Sequence, residues 1–145
     1  MKNTLRSTPE NNTALNFINP NKLYNPKPFA YSHIAEVRNF SRILHISGQG
    51  GENQQGLLSE NFNTQTQQAF CNIKIALMQV QAQFSDIAVL RILVVNHTPE
   101  KHQFLIQEMQ KHWGELDFPA CTLIPVPCLA IPGMLIEIEA TAYSI

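Results

Sequence analysis

Near the end of the chain two carboxylates, Glu137 and Glu139, alternate with Leu135, Ile136, Ile138 and Ala140 in a stretch that reads as a strand. A period of two places Leu135, Glu137, Glu139 and Thr141 on one face. Such a face is either solvated or one wall of a cleft, and a glutamate that activates water there needs a pKa raised by burial. Cys121 is a second candidate. It is either a small buried hydrophobe or a nucleophile, and the latter requires a cation or an imidazole beside it. His45 shares a strand face with Ser47 and would border the same region, although no recognised Cys-His spacing connects it to Cys121. Ser47-Gly48 is either a strand end and turn or a hydroxyl with backbone amides aimed at a ligand carbonyl or carboxylate, glycine permitting close approach. Tyr31 is either core or a cleft wall with its phenol at the rim.

Other arrangements exclude chemistries. Gly48-Gln49-Gly50-Gly51 is not a phosphate loop, because no Gly-Lys-Ser/Thr follows. His33, His97, His102 and His112 form no metal-ligand grouping, and Cys71, Cys121 and Cys128 lack Cys-x-x-Cys spacing. No metal or other cofactor is expected. Three cysteines cannot all pair within one chain. The 145 residues include 44% hydrophobic but only 14% charged residues, with a net charge of −1, against roughly 25% charged in an average domain. That balance argues against a nucleic-acid partner, which needs a clustered positive field, and against a polybasic membrane-surface protein. A weakly charged surface repels its own copies weakly, which suits a homo-oligomer. No apolar run approaches the roughly 18–20 residues of a membrane span, and Met1–Asn12 lacks the apolar core of a secretory signal. A reducing, cytoplasmic setting is expected.

The elements that must position these residues follow from pattern. Residues 1–28, rich in Asn and Pro, read as an N-terminal extension that is partly disordered or extended, with Phe17, Ile18, Leu23 and Tyr24 available to pack on the body or on a neighbouring subunit. Residues 29–145 form the domain. Phe29–Val37 and Arg42–Ser47 read as a hairpin around Arg38–Ser41. Thr64–Gln83 is a helix, with Phe70, Ile73, Leu77 and Val80 at helical spacing and Asn63 or Thr64 as its cap. Ile87–Val95, apolar except for Arg91, suits a strand buried on both faces at the middle of a sheet. Thr98-Pro99-Glu100 starts a second helix with Leu105, Ile106, Met109 and Trp113 on its apolar side and Gly114 as its stop. Cys121–Ala130 and Met134–Tyr143 are further strands, the first an edge or bulged because Pro125 and Pro127 cannot donate ladder bonds. The class is α+β, one sheet packed by two helices.

Several segments, in this order, resemble the Rid family of reactive-intermediate deaminases, also called YjgF-like or endoribonuclease L-PSP-like proteins. They are Tyr31 in Ala-Tyr-Ser, Ile46-Ser47-Gly48-Gln49, the helix containing Asn72-Ile73, and Phe84-Ser85-Asp86-Ile87. Pro119-Ala120 and the closing Pro132-Gly133…Ile136-Glu137-Ile138-Glu139-Ala140 complete the set, which spans about Phe29 to Ala142. The resemblance implies a chorismate-mutase-like fold assembled as a homotrimer with three clefts between subunits. Active members hydrolyse enamine or imine products of amino-acid metabolism to a keto acid and ammonia. In them an arginine directly after Pro-Ala grips the substrate carboxylate, and the first glutamate of the closing motif places or activates water. Carried over, Tyr31, Ser47, Gly48 and Glu137 match cleft positions.

The arginine position is held by Cys121, and the asparagine often found in the second helix is replaced by Ile106 or a neighbour. Arginine offers a permanently charged bidentate fork; cysteine is shorter and a weak donor. By analogy with buried charged pairs, the loss is worth roughly 2–5 kcal/mol of binding. The expectation is a small metabolite bound in intersubunit clefts by Tyr31, Ser47, Gly48 and Cys121, with Glu137 as the catalytic group if an imine or enamine is hydrolysed. Standard 2-imino acid deamination is not expected without the clamp. The alternative is a trimeric ligand-binding or regulatory protein without chemistry. An endoribonuclease reading fits least, since no basic-aromatic stripe is present.

Overall fold

In the computed structural model, which describes residues 14–145, the described residues form six strands and two α-helices. The earlier part of the N-terminal extension lies outside the described residues. The strands are β1 (Leu15–Ile18), β2 (Ile34–Val37), β3 (Arg42–Gln49), β4 (Ile87–Val95), β5 (Ala120–Val126) and β6 (Ile136–Ser144). The helices are α1 (Phe62–Gln79) and α2 (Pro99–Trp113). β3, β6, β4 and β5 lie side by side in that order in one mixed sheet, with β4 and β5 parallel and the other pairs antiparallel. Both helices cover the face of this sheet that carries Leu90, Ile92, Val94, Ile136, Ile138, Ala140 and Ala142. Phe70, Ile73, Leu77, Leu105, Met109 and Trp113 complete that core.

Local chemistry explains the helix ends. Asn61 caps α1 by accepting the Thr64 amide at 3.0 Å, so the helix starts two residues before Thr64. It ends at Gln79, short of Gln83, because Gln81 takes φ 57° and turns the chain away. Thr98 caps α2, accepting the Lys101 amide at 3.2 Å, and Pro99 occupies the first turn as its fixed φ favours. Gly114 ends the helix at φ 58°.

The local reading of Phe29–Val37 and Arg42–Ser47 as a hairpin is not what forms. β2 pairs with β1 from the N-terminal segment, Leu15 opposite Val37 and Ile18 opposite Ile34. β3 pairs instead with β6, Leu44 opposite Ala142 and Ile46 opposite Ala140. That register joins Leu44 and Ile46 to the helix-covered core, which the short, part-exposed β2 could not provide. β4 is an inner strand, but it is not buried on both faces within one chain: Val89 is 42% exposed and Arg91 is exposed. Both helices lie on the other side. β5 is the edge, where Pro125 opposite Val94 costs the sheet no outer partner.

Candidate functional site

Two of the residues expected at the site meet at the edge of the sheet. Ser32 pairs with Ala120, its amide donating to the Pro119 carbonyl at 2.9 Å, and this bridge holds the segment before β2 against the start of β5. Tyr31 and Cys121 thereby line one cavity of about 130 Å³ between α2 and the sheet. Its other walls include Phe29, Ile92, Leu105 and Leu123, with His102 on α2. An aromatic cluster stands at this edge: Tyr24 lies edge-on to Phe29, Tyr31 and His33, and the Tyr24 and Tyr31 hydroxyls are hydrogen-bonded. His33 is fixed there by its amide, which donates to Asn19 Oδ1 at 2.8 Å, and by a 2.9 Å hydrogen bond between its ring Nε2 and the Tyr24 carbonyl. Burial pushes the Cys121 thiol up to about 12. At neutral pH it is a neutral thiol, with none of the thiolate a nucleophile needs.

Gly48 and Glu137 form a second pair. β3 carries one extra residue between Ile46, opposite Ala140, and Gln49, opposite Ile138, so a bulge falls at Ser47-Gly48. The bulge brings the Gly48 backbone under the Glu137 side chain. A Cβ at position 48 would stand 2.1 Å from Glu137 Oε1 and 2.6 Å from its Cδ. Only glycine leaves the carboxylate where it is. Gly51 is equally confined, a Cβ there lying 2.6 Å from the Gln65 backbone. The loop that follows is tied to α1, as Asn72 Nδ2 donates to the Gly50 and Glu52 carbonyls at 3.1 and 2.9 Å. Gln65 is fully buried. Its amide donates to the Ser59 and Gly133 carbonyls and its Oε1 accepts the Leu135 amide, all within 2.8 Å.

These two pairs lie on opposite faces of the sheet. Cys121 stands opposite Leu90 and faces the helices, whereas Glu137 stands opposite Leu93 on the face the helices leave open. Ser47 belongs to that open face, in a shallow depression with His45, Val89, Arg91 and Glu139. There Arg91 and Glu139 form an ion pair, and Thr141 Oγ1 lies 3.4 Å from His45 Nδ1. A single chain therefore joins Tyr31 with Cys121, and Gly48 with Glu137, but not the two pairs. Sequence reasoning missed His102 and Phe29. For His102 a signal existed: it precedes Leu105, Ile106 and Met109 on the same helical stripe.

Among the described residues, no group of three or more His, Cys, Asp or Glu could hold a metal ion. Among them too, no helix is long and apolar enough to cross a membrane.

The fold, the Gly48–Glu137 contact and the Pro-Ala segment beside Tyr31 define a recognisable class. Residues 25–144 match the family model described as endoribonuclease L-PSP, and the chain belongs to that family, the Rid or YjgF family. Among solved structures it is similar to YyfB of Yersinia pestis, a Rid-family protein of unknown function, with 37% identity and a TM-score of 0.85 over 90% of this chain and 98% of that one. YyfA of the same organism is 28% identical, with a TM-score of 0.61 over 78% of this chain and 86% of that one. RidA from the Antarctic bacterium Psychrobacter sp. PAMC 21119 is 26% identical, with a TM-score of 0.63 over 78% and 87%. No curated protein matches the chain.

Proposed function

We propose that the protein binds a small metabolite in a cleft completed by a neighbouring copy of itself, and hydrolyses an imine or enamine there. The observation that carries this reading is the separation of the two residue pairs by the thickness of the sheet. Tyr31 and Cys121 can share a ligand with Gly48 and Glu137 only if one pair comes from another subunit. Ile43, Val89 and Ile124, between 37% and 46% exposed on the open face, supply apolar surface for such contact. The family resemblance implies that this assembly is a homotrimer.

In the proposed reaction, an enamine first tautomerises to its imine. Glu137 accepts a proton from water as the water oxygen bonds to the imine carbon, and the proton passes to nitrogen. The carbinolamine then collapses: Glu137 takes the hydroxyl proton and passes it to nitrogen, C=O forms as the C–N bond breaks, and the nitrogen leaves as ammonia. Gly48 acts by leaving the carboxylate its position over the bulge. Cys121, as a neutral thiol, neither attacks nor holds a carboxylate.

The test is ammonia release from freshly generated 2-aminoacrylate and from an imine lacking a carboxylate, with the subunit count read by sedimentation. The carboxylate-free imine is the better substrate, and Glu137→Gln abolishes its turnover. Cys121→Arg raises turnover of 2-aminoacrylate at least ~30-fold, the lower end of a buried charged pair's worth. Equal turnover of 2-aminoacrylate by the parent and Cys121→Arg would refute the need for a clamp. A second reading, a ligand-binding protein without chemistry, is favoured by the neutral thiol and the lack of any Lys or Arg among the described residues along the cavity. It prevails if neither compound releases ammonia.

A further inference from the structure

We infer that the cavity beside Cys121 takes an uncharged, ring-sized apolar molecule bearing one hydrogen-bonding group, which His102 engages. The inference rests on the reading of this cavity as the ligand site and names the class of ligand. Size comes first. The volume of about 130 Å³ is close to the ~150 Å³ of an engineered apolar cavity that accepts benzene. The walls come second: Ile92, Leu105, Ile106, Met109 and Leu123 are aliphatic or thioether, and Phe29 and Tyr31 stand on one side. Transfer of an ionised carboxylate into such walls without a paired cation is strongly unfavourable. Among the described residues, neither Lys nor Arg lines the cavity.

Only a few polar groups reach this space. The Tyr31 hydroxyl is already engaged with that of Tyr24. Cys121 is a neutral, weak donor. His102 is half-buried, and its ring, whose centroid lies 5.9 Å from that of His97, makes no hydrogen bond to any other described residue. An imidazole ring carries two nitrogens able to hydrogen-bond, so it suits an amide, a carbonyl or a hydroxyl on the ligand.

The experiment titrates the full-length protein at neutral pH with benzamide, benzoate and toluene, read by ligand-observed NMR. The first two share a ring and a near-identical outline but differ in charge. Benzamide is expected to saturate a single site, and benzoate to bind at least about tenfold more weakly. His102→Leu is expected to weaken benzamide about three- to tenfold, the worth of one hydrogen bond, while toluene binding is unchanged. Leu105→Trp fills the cavity and abolishes binding of all three. Benzoate binding as tightly as benzamide overturns the uncharged class and leaves the cavity a ligand site. Failure of both benzamide and toluene to bind overturns the class and the site together. An unchanged benzamide affinity in His102→Leu overturns the role of His102.

Discussion

Replacing Gly48 by alanine tests the Gly48–Glu137 contact without any assumption about substrate. The added Cβ would lie 2.1 Å from Glu137 Oε1, whereas ordinary contact begins at 3.4 Å. The carboxylate must therefore withdraw by more than about 1 Å. Glu137 Cγ, at 2.7 Å, must give way as well, so the side chain has to turn from its Cβ outward, and the cost lies within the overpacking range of about 1–3 kcal/mol. Gly48 is not at positive φ, so alanine adds no backbone strain of its own. Once Glu137 is shortened to alanine, Gly48→Ala should be neutral or stabilising by about 0.4–1 kcal/mol, through the reduced entropy of the unfolded chain. The sign of the substitution thus reverses between the two backgrounds. Denaturant unfolding of the parent, both single variants and the double variant measures it, and the coupling should exceed about 0.5 kcal/mol. Additive effects would refute the contact. If ammonia release is found, a displacement of this size should also lower it on the order of 100-fold in Gly48→Ala.

Other outcomes follow from the same geometry. Gln65→Leu strands the Ser59 and Gly133 carbonyls and the Leu135 amide, and at about 1–3 kcal/mol per buried orphan it should cost at least ~3 kcal/mol in chemical denaturation. Native-state alkylation at pH 8, mapped by mass spectrometry, should modify the exposed Cys71 and Cys128 and spare Cys121. Since the Cys121 thiol is raised from 9.0 to about 12, the unfolded chain loses this proton first. Stability should then fall as pH rises from about 9 towards 12, and Cys121→Ala should remove that part of the fall. His112, between the Phe70 and Phe84 rings at 5.0 and 4.9 Å, has its pKa lowered chiefly by burial, with Glu108 opposing. Below pH 6.5 the unfolded chain binds this proton more readily, so stability should drop as the pH falls, and His112→Phe should flatten that acid limb of the thermal-stability profile.

Much of the fold is legible in local pattern because helix caps and strand alternation act over a few residues. Thr98-Pro99, Gly114 and the stripe Phe70–Ile73–Leu77 are of this kind. Strand partners are not local. β2 and β3 adjoin in sequence yet take partners from opposite ends of the chain, because pairing is decided by which neighbour extends the apolar layer over the helices. The same limit applies to the site. Tyr31, Ser47, Gly48, Cys121 and Glu137 can be chosen by residue type and family pattern, but no spacing says which of them share a cavity. His102 shares the helical stripe of Leu105, Ile106 and Met109, but only the packing of that stripe against β5 and the Tyr31 segment makes it a cavity wall.

The order of the motifs, the α+β class and the cysteine in place of a carboxylate-binding arginine belong to the sequence alone, since each is a matter of residue type and short-range spacing. The tertiary structure alone decided that Cys121 and Glu137 stand on opposite sides of one sheet. It also decided that the glycine at position 48 answers to a carboxylate 89 residues away in the chain's own register of strands. The physical reason is that alternation assigns a side chain to one of two faces, but only the pairing of strands and the packing of helices determine which face is covered and what meets across it.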